Sequence, residues 1–515
     1  MHQLHTNDVT LNALRKVYER ATSVALSADD KGLIEKSKQT IADIIDSDRT
    51  VYGVNTGFGM LANTGIADDQ LAELQRNIVL SHSVGVGRPL EDNVVRLAMC
   101  LKVLGLARGH SGVRVELVEA LNAMLEAGIY PIIPSKGSVG ASGDLAPLAA
   151  MASGLCGLGD VRVGGKVMPA VKALKAAHIT PVVLGPKEGL ALLNGTQIST
   201  ALALAGMFEM ENVYSGAVVA GALSVDAFEG SDTPFDMRIH NVRGQLGQID
   251  VATIYRRLLA GSSIRDGHLG CVMVQDPYSL RCQPQVMGAV LDMMRFAANT
   301  LLIESHAVSD NPLVFPATDG GEGDVLSGGN FHAEPVAMAA DVMAIALCEI
   351  GTMSERRTAL LMDSHLSRLP PFLVNEPGLN SGFMMAHVTA AALASENKHR
   401  ANPTSTDTIP TSANQEDHVS MATHGARRLL GMAENAAGIV AIELLAAAQG
   451  VDFHKPLETS PKMQLIHAMI RDKVPFYDKD RPLTPDIEDI RLIVKNGVFN
   501  EFLEEILPSH PSDEG

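Results

Sequence analysis

Apolar positions are distributed differently in the two halves of this chain. Up to about residue 195 they come in short runs broken by glycine-rich turns, with helical segments between them and a small hairpin in "VRVGGKVMP", where Gly164-Gly165 forms the turn. Beyond it, "TQISTALALAGMFEMENVYSGAVVAGALSVDAFEG" keeps apolar and small side chains at helical spacing, and comparable patterns occupy 284–308, 335–360, 380–400 and 415–449. Long helices with Ala and Gly faces predict close backbone approach and subunit contacts. The expected fold is therefore mainly α. It has a mixed N-terminal domain over 1–195, then a long-helix central bundle and C-terminal helical region over 196–515. No fixed-period repeat or low-complexity tract interrupts it, and the tail "LPSHPSDEG" reads as loose.

Composition agrees with this picture and excludes some partners. At 515 residues the chain exceeds one compact core, and 4% aromatics with no Trp favour helices over sheets. A net charge of −18 with singly scattered Lys and Arg leaves no basic footprint for nucleic acid. The opening "MHQLHTNDVTLNALRK" lacks a signal-peptide run. "AAGIVAIELLAAAQG" is cut by Glu443 and reads as too short for a bilayer, so no membrane partner is expected. Five widely spaced cysteines without CxxC argue against a disulfide framework or zinc site and suit a reducing cytoplasm.

Polar islands interrupt the apolar pattern at "VYGVNTGFG", "NIVLSHSVGVG", "LNGTQ", "VQDPYSLRCQPQ", "VSDNPLVF", "GGNFHAEP" and "TSANQEDHVSM". Each can be a helix connection, yet together they supply the Tyr, Asn, Gln, Arg, His and Glu groups that orient a small polar ligand. "GSVGASGDLAPLAA" (137–150) admits several readings. It can be a glycine turn with Ser142 or Asp144 capping a helix from Leu145, or an anion nest, though Lys-Ser/Thr and GxGxxG are missing. A nucleophilic serine has no GxSxG elbow to support it. The remaining reading is chemical. In a tightly bent backbone the Gly143 nitrogen attacks the Ala141 carbonyl carbon, and loss of two waters, one from the Ser142 hydroxyl, leaves a methylidene conjugated to an imidazolone.

That loop resembles the signature of the aromatic amino acid ammonia-lyases, whose 4-methylideneimidazol-5-one (MIO) group forms from Ala-Ser-Gly. "YGVNTGFG", "LSHSVGVG", "LNGTQ", "RGQLGQID", "VQDPYSLRCQPQVMGA", "SDNPLVF", "GGNFHAEPVAMAAD", "GLNSGFM" and "TSANQEDHVSM" follow in family order over nearly the whole chain. The resemblance implies an ammonia-lyase/fumarase-like helical enzyme with MIO formed autocatalytically from Ala141, Ser142 and Gly143. It implies no nucleotide and a homotetramer with active sites lined by several chains.

Within that family, phenylalanine lyases carry Phe-Leu and tyrosine lyases His-Leu where this chain has Ser81-His82, a pair similar to the members acting on histidine. Glu416 points the same way, because His82 and Glu416 can hydrogen-bond an imidazole but would be left unpaired by a phenyl ring. Singly, His82 can be a satisfied loop residue, and Glu416 with Asp417 a complement to the dipole of a helix starting there. The implied reaction converts L-histidine to trans-urocanate and ammonia, with the substrate amine favoured over its ring as the group meeting MIO. By resemblance Tyr52 is the base for the β-proton and Tyr278 a second phenol, Arg281 clamps the carboxylate, Asn194 bonds near the electrophile, and Gln275 and Phe331 border the substrate. Asn311 reads as a turn residue. His332 and Glu334 resemble a metal pair, but no third ligand is evident in the sequence and no metal is expected.

Three residues depart from the histidine-acting pattern: Val272 and Met273 replace Asp-Lys, and His306 replaces Asn. Two kinds of rival therefore stand. One is a tyrosine or other aryl-alanine lyase, or a 2,3-aminomutase, with the same group; the other is a non-catalytic helical scaffold.

Overall fold

A computed structural model describes residues 2–47, 49–57, 59, 63–266, 274–318 and 321–510, so Val272 and Met273 lie outside the described residues. The long apolar patterns all form helices: Gln197–Ala227, Gln283–Ser305, Glu334–Met362, Met384–Arg400 and Ala422–Asp452. The last begins later than its pattern suggests, because the polar island before it is a loop. The hairpin also forms. Asp160–Val163 pairs antiparallel with Lys166–Pro169, and Gly164 and Gly165 both take positive φ (54° and 78°), the conformation a two-residue hairpin turn needs.

By contact the chain divides into two compact units, one of residues 1–205, 298–341 and 403–427, the other of 206–297, 342–402 and 428–515. Both are discontinuous in sequence, whereas the sequence pattern suggested a single cut after residue 195. The pattern records where helices lengthen; contacts record which distant segments pack together.

In the first unit, helix Asp92–Ala107 is buried from Val94 to its end, as its mostly apolar residues require, and it takes Arg96 and Lys102 inside with them. Three further helices, Leu71–His82, Leu145–Leu155 and Glu188–Leu193, all pack against one another. Leu145–Leu155 (LAPLAAMASGL) suits that crowded position. Its side chains are mostly small, it is buried on nearly every face, and Pro147 falls in the first turn, where no backbone hydrogen bond is lost. These helices therefore bring together His82 at the end of one, the 137–144 loop before another, and Asn194 just after the third.

The second unit shows the close approach expected of Ala and Gly faces. A Cβ on Gly216 would lie 3.1 Å from Val494 and 3.3 Å from Val440. At its core the Arg357 guanidinium bonds both oxygens of Glu443, and Ser224 Oγ donates to Glu443 Oε1 at 2.7 Å. Glu443 therefore does not break the apolar stretch read as too short for a bilayer; its charge is matched inside a 31-residue helix. By length and composition, Gln283–Ser305, Glu334–Met362 and Ala422–Asp452 are each long and apolar enough to cross a membrane.

Candidate active site

The loop before Leu145 is shaped by glycine and held by distant segments. Gly143 has φ +70°, and a Cβ there would lie 2.2 Å from the Gly195 carbonyl oxygen and 2.6 Å from its carbon, both backbone atoms. Only glycine satisfies that position. Gly140 is similarly enclosed, with Ser420 Oγ 2.2 Å from where its Cβ would stand. The Gly140 carbonyl accepts from Ala333 N at 3.1 Å and from Ser420 Oγ at 3.0 Å, and Asp144 N donates to the Gly195 carbonyl at 2.7 Å.

Asp144 was one of two candidates to cap the following helix. It occupies the cap position but makes no side-chain cap bond. Its fully buried carboxylate instead accepts from Ser199 N (2.7 Å), Ser199 Oγ (2.9 Å), Thr423 Oγ1 (2.5 Å) and Ser138 Oγ (3.2 Å). Burial raises its pKa, and the bonds from Ser199, Thr423 and Ser138 oppose that rise.

Ser142 lies between two polar groups. Its hydroxyl donates to Glu416 Oε1 at 2.5 Å, and its carbonyl accepts from Asn194 Nδ2 at 2.7 Å. Asn194 is in turn anchored from behind, since Lys102 Nζ donates to the carbonyls of Asn194 (2.9 Å) and Ala191 (3.1 Å). Lys102 is buried, and desolvation, only partly offset by Asp310 and Asp144, pushes its pKa down to about 8.

Glu416 is not at a helix start, because the next long helix begins at Ala422; the dipole reading of Glu416 and Asp417 is corrected accordingly. Its second oxygen accepts from Thr411 Oγ1 at 2.6 Å, and backbone bonds between Thr411 and Glu416 close a tight loop. Ser412, Ala413 and Asn414 within that loop all take left-handed φ (54°, 53° and 67°), a strained path that fixes the carboxylate's direction.

His82 ends helix Leu71–His82, with Nδ1 2.9 Å from the Ile78 carbonyl. That contact assigns the proton to Nδ1 and leaves Nε2 as an acceptor. Burial lowers its pKa against the opposing pull of the Ile78 bond and the Glu416 charge, so the ring is neutral at pH 7. Tyr52 is half-buried and its hydroxyl accepts from Gly59 N at 3.3 Å; Asn55 holds the same turn by bonding Val51 N and the Arg49 carbonyl. Phe331 is half-buried in the turn before helix Glu334–Met362. Asn311 does more than turn the chain, bonding Ser327 Oγ and Gly328 N. At His306, Nδ1 is buried and has no hydrogen-bond partner among the described residues.

Gln275, Tyr278 and Arg281 form a separate group in the second unit. The Arg281 guanidinium stands 4.4 Å from the centre of the exposed Tyr278 ring and bonds the Asp276 carbonyl and Gln275 Oε1. Among the described residues no carboxylate pairs with Arg281, so a structural ion pair does not account for it. Arg281 and Gln275 line a cavity of about 370 Å³ with Ser231, Thr233 and Cys282.

Sequence reading missed Lys102, whose role depends on a fold contact, and the Asp144 clamp. It also missed a third group beside His332 and Glu334. His418, distant in sequence, brings its Nε2 to 3.9 Å from Glu334 Oε2, a third potential donor that was not evident in the sequence.

Taken with its matches to known proteins, the helical fold built around this glycine-flanked Ala-Ser-Gly turn is that of a carbon–nitrogen lyase of the amino acid class. Residues 9–472 match the aromatic amino acid lyase family, and the chain belongs to it. It is 59% identical to a histidine ammonia-lyase of Aromatoleum aromaticum, over 96% of this chain and 94% of that protein. Among solved structures it resembles histidine ammonia-lyase from Trypanosoma cruzi (TM-score 0.90, 39% identity, 100% of this chain and 96% of that one). It also resembles tyrosine aminomutase from Streptomyces globisporus (TM-score 0.91, 35% identity, 97% and 98%).

Proposed function

We propose that this chain eliminates ammonia from L-histidine to give trans-urocanate, using an MIO group formed from Ala141, Ser142 and Gly143. The carrying observation is Glu416, whose carboxylate touches the Ser142 hydroxyl and also acts on His82. Carboxylate and imidazole acceptors thus lie beside the reactive loop, where an N–H of the substrate ring can use them and a phenyl ring cannot. Relatives acting on histidine at more than half identity support the same reading.

The residues fit the group. Gly143 has the positive φ and bare backbone that ring closure needs, and the Gly195 backbone fills the space a side chain would occupy. When formed, MIO supplies an electrophile that makes the α-amino group a better leaving group. Asn194 holds the Ser142 carbonyl, which becomes the ring carbonyl, and so draws electron density from the methylidene. Tyr52 takes the β-proton, Tyr278 is the second phenol for proton transfer, and Arg281 clamps the carboxylate bidentately. Gln275 and Phe331 border the substrate. The working form is read as a cytoplasmic homotetramer with composite sites, in keeping with the unpaired Cys100, Cys156, Cys282 and Cys348.

Mass spectrometry of the 137–150 peptide should show loss of two waters; the unmodified mass refutes the MIO reading. Purified protein should release an ultraviolet-absorbing arylacrylate from L-histidine faster than from L-tyrosine or L-phenylalanine. His82→Leu should shift that preference away from L-histidine, and unchanged selectivity would remove His82 from the pocket.

A further inference from the structure

His332, Glu334 and His418 offer two imidazole nitrogens and one carboxylate oxygen, all within 4.8 Å of one another. Glu334 Oε2 is the shared vertex, 4.0 Å from His332 Nδ1 and 3.9 Å from His418 Nε2. That oxygen is buried and among the described residues has no hydrogen-bond partner, an expensive condition for a carboxylate facing two nitrogens. The two rings stack almost in parallel, 9° apart with centroids 5.6 Å from each other. His332 Nε2 lies 3.3 Å from the His418 carbonyl, which leaves Nδ1 turned toward Glu334, the orienting contact a metal-binding histidine uses.

We propose that these three side chains bind a divalent cation of the zinc class. Two imidazoles with one carboxylate suit zinc rather than magnesium or calcium, which seek all-oxygen shells, and three protein ligands leave a position for water. Ligand atoms on one tetrahedral zinc stand about 3.3 Å apart, so binding must draw each imidazole about 0.6–0.7 Å closer to Glu334 and bring the two imidazole nitrogens together by up to about 1.5 Å. His418 can supply that movement, because its side chain is 64% exposed; the same exposure gives the ion a way in. Bound metal would join the turn before helix Glu334–Met362 to the segment carrying Glu416. Neither the cluster nor its test depends on which amino acid the enzyme accepts.

The test titrates Co²⁺ into the full-length protein after chelator treatment and dialysis, with L-histidine left out because it chelates metals itself. Wild type should develop saturable visible d–d absorption at one Co²⁺ per chain, displaced by Zn²⁺. His418→Ala and Glu334→Gln should each weaken binding by about tenfold or more, while the metal-free circular dichroism and melting temperature of His418→Ala match wild type. Absence of saturable d–d absorption overturns the proposal, and so do identical isotherms in wild type and both variants. Should one variant fold poorly, the other carries the comparison.

Discussion

Replacing Lys102 by Met separates a buried charge from the hydrogen bonds it makes. With its pKa at about 8 in the fold against 10.5 unfolded, holding this ammonium inside costs about 3 kcal/mol at neutral pH. Between those two values the unfolded chain binds the extra proton, so wild-type stability must rise with pH from about 8 upward. The contribution is about 2 kcal/mol by pH 9.5. Asp310, Asp144 and Lys187 are the charged groups that act on it. Lys102→Met removes the cost of the charge, but it strips the Ala191 and Asn194 carbonyls of their donor, at about 1–3 kcal/mol each. The two effects offset each other in part, so the variant should still fold at pH 7, at most about 3 kcal/mol less stable than wild type, and lose the pH 8–9.5 rise. Activity should still fall about 10- to 100-fold, because Asn194 no longer holds the Ser142 carbonyl firmly. Urea melts of both proteins at the two ends of that window, with kcat at pH 7, decide the matter. Identical pH slopes in the two proteins would refute the buried-ammonium account.

Gly143→Ala should leave the 137–150 peptide at its unmodified mass and reduce turnover to the blank, since its Cβ would stand 2.2 Å from the Gly195 oxygen. Glu416→Gln should lower kcat/KM for L-histidine about 10- to 100-fold, the worth of a hydrogen bond to a charged acceptor, with a smaller effect on L-phenylalanine; equal losses on both substrates would count against ring recognition. Glu443→Ala strands the fully buried Arg357 and should destabilise by about 3–5 kcal/mol, seen as a lower melting temperature. The paired change Arg357→Met with Glu443→Leu should recover most of that loss.

How far the sequence reveals this architecture depends on the range of the interaction. Helical periodicity is local, so the long helices and the Gly164-Gly165 hairpin are legible from their own residues. The Ala141-Ser142-Gly143 loop is legible as well, because the ring closure proposed for it needs three adjacent residue types. Lys102 reads as an ordinary polar break in an apolar helix until the fold places it behind Asn194. The third member of the His332–Glu334 cluster is hidden for the same reason, as His418 sits in a different polar island. Glu416 stands against Ser142 in the fold, but its surroundings differ from the sequence reading; what orients it is a strained 411–416 turn rather than a helix dipole. The contact-based division into two units also escapes a linear reading, because no composition change marks where a long helix changes its packing partners.

The clamp on Asp144 bears on when the enzyme acquires its chemistry. Gly140 and Asp144, which flank the bent tripeptide, are held by Ser199, Gly195, Ala333, Ser420 and Thr423, segments that meet only after long stretches of chain have found their places. On the MIO reading, cyclisation therefore follows long-range folding and leaves a permanent covalent record of it. Chains that never assembled this neighbourhood keep an intact serine. The fraction of unmodified 137–150 peptide in a preparation then counts misfolded molecules directly, even after they have been denatured for analysis.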